Sequence, residues 1–135
     1  MIYIFLAAVI LFGLAVLVVV GRAAKRRAPS LKRDYFHKQW MELLARVKTP
    51  EGMVLAIIDA DKLLDEALRK CHYRGKTTGE RLVAAQRILT DNDAVWYAHK
   101  LRNRLVHESN QTIGKREAQS ALSGFKQALR DLGAL

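Results

Sequence analysis

Two hydrophobic patterns divide the chain. Residues 2–20 carry no charge and are mostly Ile, Leu, Val, Ala and Phe. As a helix, at about 1.5 Å per residue, this run reaches about 28 Å, close to the hydrocarbon thickness of a bilayer. Beyond it the apolar positions become periodic. In 31–48 the residues Phe36, Trp40, Leu43, Leu44 and Val47 recur at helical spacing, with Ser30 placed to cap them. Thr49-Pro50 is a helix start, a capping hydroxyl followed by proline at the first helical position. The helix it opens shows Val54, Ile57, Ile58, Leu64 and Leu68 on one side and stops by Gly75. Thr77 and Glu80 are spaced as a capping box ahead of Leu82, Ala85 and Leu89. Asp91-Asn92-Asp93 begins a further helix, apolar at Val95, Ala98, Leu101 and Leu105 and running to about His107. Thr112 is placed to cap a last one, with Ala118, Leu122, Phe125, Leu129 and Leu132 inward. No alternating strand pattern occurs. The pattern predicts an all-α chain: a single transmembrane helix followed by an antiparallel bundle of about five helices.

Charge gives the apolar run an orientation. No Lys or Arg precedes it, whereas Arg22, Lys25, Arg26 and Arg27 follow directly. The positive-inside rule then places the amino terminus outside the cell membrane and the remainder in the cytoplasm. A cleaved signal peptide would want a basic region before the core, a shorter core and a small-residue cleavage site. The expected organisation is therefore an anchor with a basic stop over 1–27 and a cytoplasmic helical domain over 28–135. Residues 2–20 would meet membrane lipids, with Arg22, Lys25, Arg26 and Arg27 at the headgroups. The lone Cys71 excludes an intramolecular disulfide framework and fits a reducing compartment.

The net charge of +10 invites a nucleic-acid reading. Six of the 23 basic residues lie in the first 33, a stretch with no Asp or Glu, so from Asp34 onward the excess is only +4. Much of the basicity follows from topology, and the charge alone does not argue for RNA.

The densest cluster of functional side chains is His99-Lys100-Leu101-Arg102-Asn103-Arg104-Leu105-Val106-His107-Glu108. Arg102 and His107 are five apart, so on an ideal helix they point about 140° from one another. They meet if the helix ends near His107 or if a second copy supplies the facing half. Upstream, Asp61 sits between Ile57 and Leu64 on an apolar face, where an unpaired carboxylate is costly. An ion pair from Asp61 to Arg102 would satisfy both groups, as a structural tie.

The segment Leu101-Arg102-Asn103-Arg104-Leu105-Val106-His107 resembles the HEPN superfamily, small helical bundles marked by Arg, four to six residues, then His, often with a polar residue after the Arg. The resemblance extends more loosely over about 34–133 in the number and order of helices, including 56–64 and the final helix. Where the toxin subgroup has Tyr two residues after the His, this chain has Ser109. The resemblance implies metal-independent RNA cleavage at a site shared by two subunits of a homodimer. Arg102, Asn103 and His107 would be catalytic: His107 exchanging a proton with a ribose 2′-hydroxyl or the leaving oxygen, Arg102 holding the phosphate, Asn103 orienting either. Lys100 and Arg104 would add RNA affinity. No cofactor or metal is expected. The alternative is a non-enzymatic, membrane-tethered helical adaptor that docks a protein partner, with Arg102 and His107 structural.

Other constellations carry less. Asp59, Asp61, Asp65 and Glu66 do not share one face and lack a His partner at ligand spacing. Cys71-His72 is a single pair, too few for a structural zinc. Gly75-Lys76-Thr77-Thr78 lacks the earlier glycine and the strand of a phosphate loop. Trp40, Trp96 and Tyr97 read as core or interface aromatics rather than stacking platforms.

Overall fold

In the computed structural model the described residues are 1–24, 30–108 and 112–135, and within the first of these the side chains of 3 and 19–24 are left aside. Six helices occur among them: α1 (Ile2–Ala24), α2 (Arg33–Leu44), α3 (Pro50–Lys70), α4 (Thr78–Ala85), α5 (Asn92–His107) and α6 (Lys115–Asp131). No strand occurs among the described residues. The all-helical expectation holds.

The transmembrane expectation does not. Among the described residues no helix is long and apolar enough to cross a membrane. This overturns the single-pass anchor, and with it the placement in the cell membrane with an outer amino terminus and a cytoplasmic domain. The lipid contacts expected of Lys25, Arg26 and Arg27, and of the Arg22 side chain, lie outside the described residues, as does Ser109. The described side chains of α1 are all exposed, and α1 enters none of the extensive helix pairings.

The bundle is organised around α3, which packs on α2, α4, α5 and α6, while α5 lies along α6. The core joins Phe36, Trp40 and Leu43 of α2 to Ile57, Leu64 and Leu68 of α3, Leu82 of α4, Val95 and Leu101 of α5, and Phe125 and Leu129 of α6. Gly124 allows the α5–α6 approach. A Cβ there would sit 2.5 Å from the carbonyl oxygen of Ala94, closer than side-chain carbons come to backbone.

Two of the four expected caps, Thr49 and Thr77, are observed, and Asp91 at the expected start of α5 adds a third. The Thr49 hydroxyl accepts from the Gly52 amide at 3.0 Å, Thr77 from Glu80 at 3.2 Å, and Asp91 from Ala94 at 2.9 Å. Glu80 reaches back to the Lys76 amide at 2.6 Å, one residue beyond the expected reciprocal partner, the Thr77 amide. Ser30 and Thr112 do not cap. The N-cap positions are Lys32 and Gly114, and neither makes a side-chain cap. Nor does α2 continue to Lys48. Its end tightens into i→i+3 bonds, Arg46 to Leu43 and Val47 to Leu44, which bring the chain round to the Thr49 cap.

Helices α3 and α6 close in the same way. The Tyr73 amide donates to Leu68 and His72 to Arg69, while Ala134 donates to Leu129 and Gly133 to Arg130. The left-handed residue is Gly133 (φ 77°) in one and His72 (φ 62°) in the other. His72 is thus spent on a helix end, and burial pushes the neighbouring Cys71 thiol pKa up.

Candidate functional site

Helical spacing carries Asp61 inward. It follows Ile57 by four residues and precedes Leu64 by three, so the face that buries those two also buries the carboxylate, whose side chain is 3% exposed. Opposite it, α5 turns Val95, Ala98 and Leu101 into the core. His99, Arg102 and Asn103 lie beside that stripe at i, i+3 and i+4.

Four side chains close a ring across the α3–α5 contact. His99 Nδ1 lies 2.7 Å from Asp61 Oδ1. His99 Nε2 lies 3.3 Å from Asn103 Nδ2. Arg102 Nη1 donates to Asn103 Oδ1 at 2.9 Å, and Arg102 Nε stands 3.3 Å from Asp61 Oδ2. The directions are mutually consistent. Because Asn103 Oδ1 accepts from arginine, its amide nitrogen is left to donate to His99 Nε2. The proton of the ring then belongs on Nδ1, facing the carboxylate. The Nε–H of Arg102 is close enough for an ion pair but lacks the alignment of a hydrogen bond. Trp96 meets the His99 ring edge-on at 5.9 Å, and Gly79 at the start of α4 leaves room above both.

The expected Asp61–Arg102 pair is therefore present. A buried carboxylate, costly alone, is matched by one cationic side chain and one imidazole. Arg102 keeps 26% of its side chain exposed, against 11% for His99. Chemically the ring is closed upon itself: both nitrogens of His99 and both ends of the Asn103 amide are occupied.

The other candidates stand apart from it. His107 is the last residue of α5, exposed, with no hydrogen bond or ion pair among the described residues. Lys100 is exposed and equally unpaired, while Arg104 pairs with Glu117 of α6. Of the site residues named from sequence, Asp61, Arg102 and Asn103 converge, and His107, Lys100 and Arg104 do not join them. His99 was missed. Its signal was its spacing, four residues before Asn103 and three before Arg102, on the face that meets Asp61.

A second charged tie lies one turn along α3. Arg81, nearly buried, donates to Asp65 at 2.7 Å and to the Gly75 carbonyl at 2.5 Å, and Arg69 approaches the same carboxylate at 3.2 Å. Asp59 instead faces Arg46 at 2.7 Å and Lys62 at 3.6 Å. Asp59, Asp61 and Asp65 are thus engaged by separate cations. Among the described residues no three His, Cys, Asp or Glu side chains are grouped to hold a metal ion.

Comparison with known proteins adds no relative: the chain matches no family model, no curated protein and no solved structure.

Proposed function

We propose that this chain is a non-enzymatic helical interaction module, in which Arg102 and Asn103 serve the fold. The supporting observation is the closed ring of Asp61, His99, Asn103 and Arg102, which uses the polar groups a catalytic site would present to substrate. The reading departs from the adaptor described from sequence in two respects. It includes no membrane tether, and His107, being exposed and unpaired, has no structural task.

That openness of His107 supports a second reading, the HEPN-like endoribonuclease. There, the exposed part of Arg102 would hold a phosphate and His107 of the same or a second copy would move the proton, with Lys100 and Arg104 attracting the RNA.

One experiment separates the two readings. The full chain, Arg102→Ala and His107→Ala are incubated with RNA in EDTA, and their thermal unfolding is followed in parallel. The module reading expects no cleavage by any of them, a lowered midpoint for Arg102→Ala and an unchanged one for His107→Ala. Cleavage by the parent chain that disappears in a fully stable His107→Ala would establish the ribonuclease and overturn the module.

A further inference from the structure

The module reading leaves open which surface does the docking. On the side of the bundle formed by α6, the end of α2 and the start of α3 lies an open groove of about 350 Å³. Its floor is Trp40, Met53 and Leu122, and Leu44 and Val47 form a half-buried apolar wall. From α6 the lining residues include Lys115, Ala118, Leu122 and Lys126, which repeat every three or four residues and form one stripe about 16 Å long. A lysine therefore stands at each end of an apolar trough.

The charges and the apolar lining characterise the occupant. No Asp or Glu lines the groove. Neither Lys115 nor Lys126 has an ion pair among the described residues, so both charges are open to a partner. The groove thus presents an apolar lining between two positive ends and no negative charge of its own. A nucleic acid would supply charge but would find no exposed aromatic to stack on there. A short amphipathic helix with acidic ends would supply both apolar cover and negative charge.

We infer that this groove, if the module reading holds, receives an amphipathic helical segment of a partner protein, about three to four turns long and carrying a carboxylate near each end. Its apolar face would lie over Trp40, Met53 and Leu122, and its two acids would meet Lys115 and Lys126.

The test uses the full-length chain and a fluorescein-labelled peptide of about fourteen residues, long enough to span the stripe. The peptide carries Leu at i, i+4, i+7 and i+11 and Glu at both ends, and a second version has Lys in place of Glu. Fluorescence anisotropy should show binding of the Glu-ended peptide. The double variant Lys115→Glu/Lys126→Glu should weaken it roughly tenfold or more, because like charges then face each other, and should bind the Lys-ended peptide instead. Both substitutions lie at the groove's rim, outside the core, and circular dichroism checks the fold. No binding, binding indifferent to the charge exchange, or displacement by an RNA oligonucleotide would each overturn the assignment. The RNA-cleavage assay keeps the two conclusions separate. If the peptide fails and no RNA is cut, the groove assignment alone falls. If RNA is cut in the manner described above, the module reading falls with it.

Discussion

The middle and the last turn of α5 carry the same kinds of side chain and put them to opposite uses. In the middle, Arg102 and Asn103 face α3 and are held in a ring with Asp61 and His99. At the end, His107 projects from the final helical residue and touches no polar partner among the described residues. The two groups belong to one short sequence motif, yet five helical steps separate them by about 140°. Membership of a motif therefore does not settle a residue's task; the partner on the neighbouring helix does. Asp61 is what makes the difference. It gives the middle turn a buried charge to satisfy, and among the described residues no buried carboxylate lies opposite His107.

The sharpest way to break the contrast is to remove that partner. Asp61→Ala strips Arg102 and His99 of their shared carboxylate and leaves their polar groups half enclosed. Loss of one member of a buried pair costs about 3–5 kcal/mol, and the partial exposure of Arg102 argues for the lower end. Urea unfolding should show a midpoint shift of that size with an unchanged slope. A cost below about 1 kcal/mol would show that the ring does not support the fold.

Arg102→Ala should cost less, about 2 kcal/mol, because Asp61 keeps its bond to His99. Combining the two changes sharpens the point. If they act through one contact, the double variant should lose less than the sum of the single losses, by about 1 kcal/mol or more. Strict additivity would mean that each residue acts through some other neighbour.

The extent to which this arrangement is legible in the sequence follows from range. Caps at Thr49, Thr77 and Asp91 are local, set by a side chain and an amide three residues on, and the sequence displays them. The inward stripes of α3 to α6 are equally local, and so is the anomaly of Asp61 on an apolar face, from which its pairing with Arg102 follows. His99 is different. Its bond to Asp61 spans 38 positions, and a histidine beside an apolar stripe has many ways to be satisfied. Only the packing of α3 on α5 selects among them. Ser30 and Thr112 mislead for a related reason. Each is a good capping residue with an acceptable spacing, but the helices start after Lys32 and Gly114, where packing of the first turn places them. The apolar run of α1 was read by its length in sequence, whereas no helix among the described residues is long and apolar enough to cross a membrane.

Asn103 provides a finer probe of the middle turn. It links Arg102 to His99 and makes no contact of its own with Asp61 among the described residues. Asn103→Ala should lower stability by about 1 kcal/mol, the net value of an ordinary hydrogen bond, while Asn103→Asp should restore the link to Arg102 and lose the one to His99. A loss as large as that of Asp61→Ala would move the centre of the ring from the carboxylate to the amide.

The smallest effect is expected at the last turn, and there the smallness is the prediction. His107 is exposed, lies at the helix end and supports nothing in the core, so His107→Ala should change the unfolding free energy by no more than about 0.5 kcal/mol. Measured beside Arg102→Ala under the same conditions, this gives a difference between two residues that a motif treats as one. Equal losses would mean that His107 finds a partner in solution, and the contrast within α5 would be gone. A neutral His107→Ala would confirm that His107 itself is free of the fold. Any function that depends on His107 would then have to be seen as a change in binding or reaction at unchanged stability, which is the signature the RNA assay is built to detect.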